Sequence, residues 1–156
     1  MTPRWPFLDH PGPLAFAHRG GASDAPENTL PAFARAVELG YRYVETDAHV
    51  TSDGVLLAFH DDVLDRVTDH RGVVADLPWS TVAEARVDGL EPIPLLEDLL
   101  GTWPDLRVNI DPKHDAAVDP LAEAIERTGA IDRVCVGSFS DRRLRRLRRR
   151  LGERLC

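Results

Sequence analysis

The stretch Tyr41-Arg42-Tyr43-Val44-Glu45-Thr46-Asp47 decides the fold. Gly40 bounds it on one side, its front half reads as a buried strand, and its end carries two carboxylates. Strand side chains alternate between faces, so Glu45 and Asp47 project to the same side. Two like charges so placed call for a cation or for solvent.

Upstream, residues 14–17 form a short apolar strand candidate. Asn28 or Thr29 can cap the helix that follows, and Pro31 is tolerated in its first turn. Leu30, Phe33, Ala34 and Val37 then fall on one helical face, and Gly40 stops the helix. Downstream, Ser52-Asp53-Gly54 turns the chain into a strand over residues 55–59. Residues 61–92 are rich in Asp, Gly and Pro and read as a long loop with one short helix near 81–85. Leu95, Leu96, Leu99 and Leu100 predict a helix ended by Gly101, and residues 107–110 a strand. A further helix opens at Asp119-Pro120 and closes at Gly129. A fifth strand over 133–137 and an Arg/Leu helix to about residue 151 follow. This alternation predicts βα units around a parallel sheet.

Each predicted strand ends in reactive groups: His18-Arg19, Glu45 and Asp47, His60-Asp61, Asp111 and Lys113, Ser138. In a barrel of βα units that rim is where active sites are built. Glu45 and Asp47 read either as solvated strand-end acids or as ligands for a hard, oxygen-preferring cation, Mg²⁺ or Ca²⁺. Asp111 and Lys113 read as a surface ion pair, or as a third carboxylate beside an ammonium that neutralises a phosphate oxygen. His18 and His60 can take and give protons near neutral pH, one on either side of a phosphorus. Arg19 offers a fork to phosphate or a partner to Glu27.

The composition, 43% hydrophobic and 29% charged, fits one soluble domain. No run is long and apolar enough for a membrane span, and the lead-in over residues 1–13 lacks the apolar region of a signal peptide. Cys135 reads as a small core residue, and a reducing, cytoplasmic setting is expected. The net charge of −7 is uneven: residues 142–154 hold eight arginines and one glutamate. The acidic remainder argues against nucleic acid as the main partner. The arginine helix, with Leu144, Leu147 and Leu151 as its apolar stripe, reads as a packed outer helix or as a surface for anionic lipid or nucleic acid.

Together, His18-Arg19-Gly20-Gly21, Pro26-Glu27-Asn28-Thr29, Glu45-Thr46-Asp47, and His60-Asp61 with Leu64-Asp65-Arg66 resemble the glycerophosphodiester phosphodiesterase family. Asn109-Ile110-Asp111-Pro112-Lys113 is similar to that family's fourth-strand motif. The resemblance implies an α/β fold, a TIM (β/α)8 barrel of the PLC-like phosphodiesterase type. It also implies hydrolysis of glycerophosphodiesters to glycerol 3-phosphate and an alcohol. On the same ground a divalent metal is expected on Glu45, Asp47 and Asp111, with His18 and His60 as acid and base. Arg19 and Lys113 are expected at phosphate, and Glu27 in the active-site loop. Many relatives carry Glu where this chain has Asp111, one methylene shorter. The segment over about 61–92 corresponds to the family's insertion.

A complete barrel of this kind takes about 250 residues and eight strands. This chain of 156 residues is expected to supply about the first five βα units in a single domain, as a piece of a longer protein. Such a piece reads as an enzyme once its barrel is complete, with an inactive fragment or a phosphodiesterase for lipid substrates as the alternatives. Stable membrane insertion is not expected. Two open sheet edges and an apolar inner face predict self-association.

Overall fold

The computed structural model describes residues 3–21 and 25–156; the first two positions of the lead-in lie outside them. The strands and main helices are β1 (Phe16–His18), α1 (Leu30–Glu38), β2 (Tyr43–Val50), β3 (Leu56–Ala58), α2 (Trp79–Val82), β4 (Arg86–Val87), β5 (Glu91–Pro92), α3 (Leu96–Thr102), β6 (Arg107–Pro112), α4 (Val118–Arg127), β7 (Val134–Val136) and α5 (Asp141–Leu151).

All five expected strands form and join one sheet, in the order β1-β2-β6-β7 with β3 attached to β2. Four are parallel. The departure from five βα units is β3, which runs antiparallel to the far end of β2, pairing Ala48 with Ala58 and Val50 with Leu56. The tight turn at Ser52-Asp53-Gly54 can only reverse the chain, because a parallel return needs a crossover of a dozen or more residues.

The helices cover one face of the sheet. Phe33 and Ala36 of α1, Leu96, Leu99 and Leu100 of α3, Leu121 and Ile125 of α4 and Leu147 of α5 pack on Val44, Val108, Ile110 and Val134. Thr29 is the N-cap of α1, its hydroxyl accepting from Ala32 N at 3.4 Å. Several arginines of α5 turn toward acids of α4 and of the short turn before it. Arg146 reaches Asp119 at 3.0 Å, Arg150 reaches Glu126 at 3.3 Å, and Arg142 and Arg143 share Asp115. That pairing, with Leu147 fully buried, supports the packed-helix reading.

The opposite face of the sheet is polar, which overturns the expectation of a wide apolar inner surface. His18, Glu45, Asn109 and Cys135 share one register row across four strands. Cys135 is thus an inner-face residue and not a core one, since Val134 and Val136 take the helix side. The apolar part of this face is an aromatic patch of Phe16 and Tyr43, covered by Phe7 of the lead-in at ring separations of 6.2 and 5.3 Å. The lead-in carries a short 3₁₀ turn, Pro6–Leu8, and passes Tyr43, whose hydroxyl donates to Phe7 O at 2.8 Å. It reaches the other end of the chain, where Trp5 Nε1 donates to Glu153 O at 3.1 Å and Arg4 pairs with Glu153.

The 61–92 segment is more ordered than a loop. It has its own small core of Leu64, Val74, Val82, Ala85 and Val87 against Leu57 and Phe59. Its β4–β5 hairpin turns through the three residues Asp88-Gly89-Leu90, the first two with positive φ (53° and 70°) and Leu90 N donating to Val87 O at 3.0 Å.

Candidate active site

Position on the rim follows from register. Glu45 aligns with His18 on one side and Asn109 on the other, and Asp47 aligns with Asp111. Because each strand is pleated with period two, all five side chains project from the inner face at the C-terminal ends of β1, β2 and β6. His60 reaches the same rim by another route: the hairpin carries it back, with Phe59 N donating to Asp47 O at 3.0 Å.

His18 is the most open of these groups, its side chain 71% exposed, with Nε2 3.7 Å from Glu45 Oε2. The turn after it is tightly specified. Arg19, Gly20 and Gly21 all have positive φ, and a Cβ on Gly20 would stand 2.9 Å from Ala32 Cβ and 3.0 Å from Phe33 N. This close approach of the turn to α1 aims the Arg19 amide at Glu45 Oε2, 3.1 Å away.

Asp47 is the buried centre. Asn28 Nδ2 donates to its Oδ2 at 3.1 Å, and Thr46 Oγ1 donates to Asn28 Oδ1 at 2.8 Å. Asn28, itself at φ 56°, therefore serves the carboxylate while Thr29 caps the helix. Lys113 Nζ lies 2.8 Å from both Asp47 Oδ1 and Asp111 Oδ2. Burial opposes the Lys113 charge, but the two carboxylates outweigh it and raise its pKa. Glu45 is less well compensated: burial, then the negative charge of Asp47, push its carboxyl above the ordinary range.

These carboxylates suit a hard cation in chemistry and in face, and the raised Glu45 marks a place where positive charge is in demand. Among the described residues, no three acidic, histidine or cysteine side chains stand close enough together to hold a metal ion. Lys113 draws Asp47 and Asp111 to itself instead.

Of its two expected directions, Arg19 takes the one toward Glu27. Its Nη1 donates to Glu27 Oε1 at 3.0 Å, and its Nε, buried and without a hydrogen-bond partner, lies 3.5 Å from Asp47 Oδ2. Glu27 is gripped from its other side by Arg66, at 2.7 and 3.1 Å. Burial works against the Glu27 charge, yet Arg66 and Arg19 together lower its pKa.

Arg66 also forks onto Asp61, with Nε 2.5 Å from Oδ2 and Nη2 2.9 Å from Oδ1. That contact first, and His60 after it, bring the Asp61 carboxyl down to about 2. Asp61 Oδ1 stands 2.5 Å from His60 Nδ1. Beneath them His49 is buried, with its pKa lowered chiefly by that burial, and its Nε2 lies 3.1 Å from His60 O. The structure thus gathers all eight expected residues at one end of the sheet. Asn28, His49 and the bridging role of Arg66 escape a sequence reading, because only the fold brings their partners together.

The profile of the Glycerophosphoryl diester phosphodiesterase family matches residues 18–153, from the first rim histidine to the end of α5. The chain belongs to the glycerophosphodiester phosphodiesterase family. It is 46% identical over 156 residues to the probable glycerophosphodiester phosphodiesterase 2 of Mycobacterium tuberculosis, covering 99% of this chain and 59% of that protein. The crystal structure of glycerophosphodiester phosphodiesterase from Agrobacterium tumefaciens is similar with a TM-score of 0.80 and 29% identity, over 86% of this chain and 61% of that one. The Oleispira antarctica phosphodiesterase solved with its product sn-glycerol-3-phosphate gives a TM-score of 0.81 at 26% identity, over 88% and 62%. The chain therefore spans about 60% of the length of the relatives it matches, and its open sheet is part of the TIM barrel of this family. No helix among the described residues is long and apolar enough to cross a membrane.

Proposed function

We propose that the chain carries the phosphate-handling rim of an enzyme that hydrolyses glycerophosphodiesters to glycerol 3-phosphate and an alcohol. The observation that carries this reading is the convergence on one rim of two histidines, His18 and His60, with the carboxylates Glu45, Asp47 and Asp111. For attack by water, one histidine takes a proton from the water as its oxygen bonds to phosphorus, and the other gives a proton to the alkoxide that departs. His60 suits such work, because Asp61 accepts from its Nδ1–H and leaves Nε2 open to exchange a proton.

Glu45, Asp47 and Asp111 would hold a divalent cation, Mg²⁺ or Ca²⁺, once Lys113 leaves Asp47 and Asp111 for a bound phosphate. Such an ion supplies positive charge against the phosphoryl oxygens. Lys113 and Arg19 are the phosphate contacts in this reading: both are cations that a bound phosphodiester would draw away from Asp47 and Glu27. The open turn at Gly20-Gly21 leaves His18 accessible from solvent. A cytoplasmic setting keeps the free thiols of Cys135 and Cys156 reduced.

The test is phosphorus NMR of the purified chain with glycerophosphodiesters that differ only in their alcohol, with and without a chelator. Release of glycerol 3-phosphate that stops on chelation is the expected result. Turnover confined to lipid phosphodiesters would favour a phospholipase-like substrate, and no turnover at all would leave the rim as an inactive fragment. Light scattering on the same sample tests self-association through the edges β1 and β7.

A further inference from the structure

We propose that Arg66 is a positioning residue that fixes the His60 ring through Asp61 and ties it to the loop bearing Glu27. The proposal rests on the reading of His60 as a proton carrier, and it goes beyond that reading by naming what sets the ring's tautomer and orientation.

The geometry is a continuous line of alternating groups. A carboxylate only accepts hydrogen bonds, so the 2.5 Å contact between Asp61 Oδ1 and His60 Nδ1 puts the proton on Nδ1. In the neutral ring the lone pair then sits on Nε2, the atom free to meet substrate. Asp61 by itself is one residue from His60 and could rotate away. Arg66 prevents this by engaging both of its oxygens, at 2.5 and 2.9 Å. The same guanidinium holds both oxygens of Glu27, at 2.7 and 3.1 Å, and Glu27 holds Arg19 at 3.0 Å. A planar fork can serve two carboxylates in this way, whereas an ammonium on a flexible stem cannot keep both in register. The backbone of His60 is fixed separately: its carbonyl oxygen can only accept, so His49 Nε2 donates to it at 3.1 Å. Ring and main chain are thus held by different partners, and Arg66 governs only the ring.

Arg66 is well placed for a clean test, since its side chain is 47% exposed and its removal opens no core cavity. Nitrogen-15 NMR of the histidine rings, at a pH where they are neutral, reads the His60 tautomer in the unmodified chain and in Arg66→Ala, Arg66→Lys and Asp61→Ala, with thermal melts as fold controls. The expected result is an Nδ1–H ring in the unmodified chain. It shifts toward Nε2–H in Arg66→Ala and Arg66→Lys, and furthest in Asp61→Ala. An Nε2–H ring in the unmodified chain, or an unchanged tautomer in Arg66→Ala, overturns the proposal. Full restoration by Lys overturns the fork geometry. In steady-state phosphodiester hydrolysis, Arg66→Ala lowers kcat about 10- to 100-fold, the usual loss when a partner behind a reacting group is removed, with KM little changed. A chain with no hydrolysis counts against the proposed function alone, because the tautomer decides the role of Arg66 without turnover.

Discussion

Asp47 and Asp111 are register partners on adjacent parallel strands, and a single ammonium, Lys113 Nζ, stands 2.8 Å from a carboxylate oxygen of each. Lys113→Met would leave two carboxylates facing each other without their shared cation. Removing one member of a fully buried pair costs about 3–5 kcal/mol, and the partial exposure of Lys113 reduces this to about 1–3 kcal/mol. The variant is expected to melt earlier and to gain more than the unmodified chain from added Mg²⁺ or Ca²⁺, because the ion restores the missing charge. Thermal melts with and without the divalent ion check this. A variant indifferent to the ion would argue against cation binding at these carboxylates.

The two histidines are expected to separate function from folding. His18→Ala and His60→Ala should each lose about 10²- to 10⁴-fold in phosphodiester turnover, while His18→Ala leaves the melting temperature unchanged, since that ring stands mostly in solvent. Retention of more than roughly a tenth of the activity in either variant would assign that histidine a structural role.

Asp61 makes stability depend on pH in a defined window. Its carboxyl is held at about 2 in the folded chain against an ordinary 3.8, chiefly by Arg66. Folding therefore favours the ionised form. The contribution is complete above the ordinary value, declines as pH falls from 3.8 toward 2, and is absent below. Urea midpoints of the unmodified chain and Asp61→Asn should differ at neutral pH and converge across that window. A difference that is constant with pH would show that Asp61 contributes through something other than its charge.

Gly20→Ala should disturb the rim without touching a polar group. A Cβ there meets Ala32 Cβ at 2.9 Å on a backbone with φ +81°. Strain and clash together predict a loss of at least about 1 kcal/mol, read from the urea midpoint. The turn would also be pushed off α1, which weakens the Arg19 amide contact to Glu45.

The helix α5 offers a contrast between packing and charge. Leu147 is fully buried, so Leu147→Ala should cost about 2–5 kcal/mol. Arg149→Ala, on the exposed side, should stay within about 0.5 kcal/mol. Co-sedimentation with anionic vesicles at two salt concentrations should find no salt-sensitive binding, because the neighbouring arginines are engaged with Asp115, Asp119 and Glu126. Strong binding at low salt would return α5 to the lipid-surface reading.

The parts of the site that follow strand periodicity were legible from the residues alone. Glu45 and Asp47 share a face because the pleat repeats every two residues, and His18 and Asp111 meet them for the same reason. His60 was rightly placed on the rim, but as the end of a parallel strand. The Ser52-Asp53-Gly54 turn, too short for a crossover, is the local signal for the antiparallel return that in fact delivers it. Asn28 and Thr29 were interchangeable as caps until tertiary contact gave Asp47 to one and α1 to the other. Cys135 sat in an apolar run, and only its phase relative to Val134 and Val136 distinguishes the inner face from the core. The β4–β5 hairpin is too short to alternate, and Asp88-Gly89 is its single local trace. The ion pairs of Arg66 link residues up to 39 positions apart, a separation on which local patterns carry no information.

The contact between Trp5 and Glu153 joins residues 148 positions apart, and it bears on the order of assembly during synthesis. Local units such as β1–α1–β2 can form while the chain is still being made. Tyr43 and Arg107 hold the lead-in at Phe7 and Asp9, but its contact with Glu153 cannot form until that residue has left the ribosome. The patch of Phe16 and Tyr43 thus waits, while the intervening residues are made, for this further anchor of the segment that covers it, and contacts this distant in sequence are the slow ones to form. Substitutions at Trp5 or Phe7 should therefore reduce the yield of folded protein more than they alter the finished site.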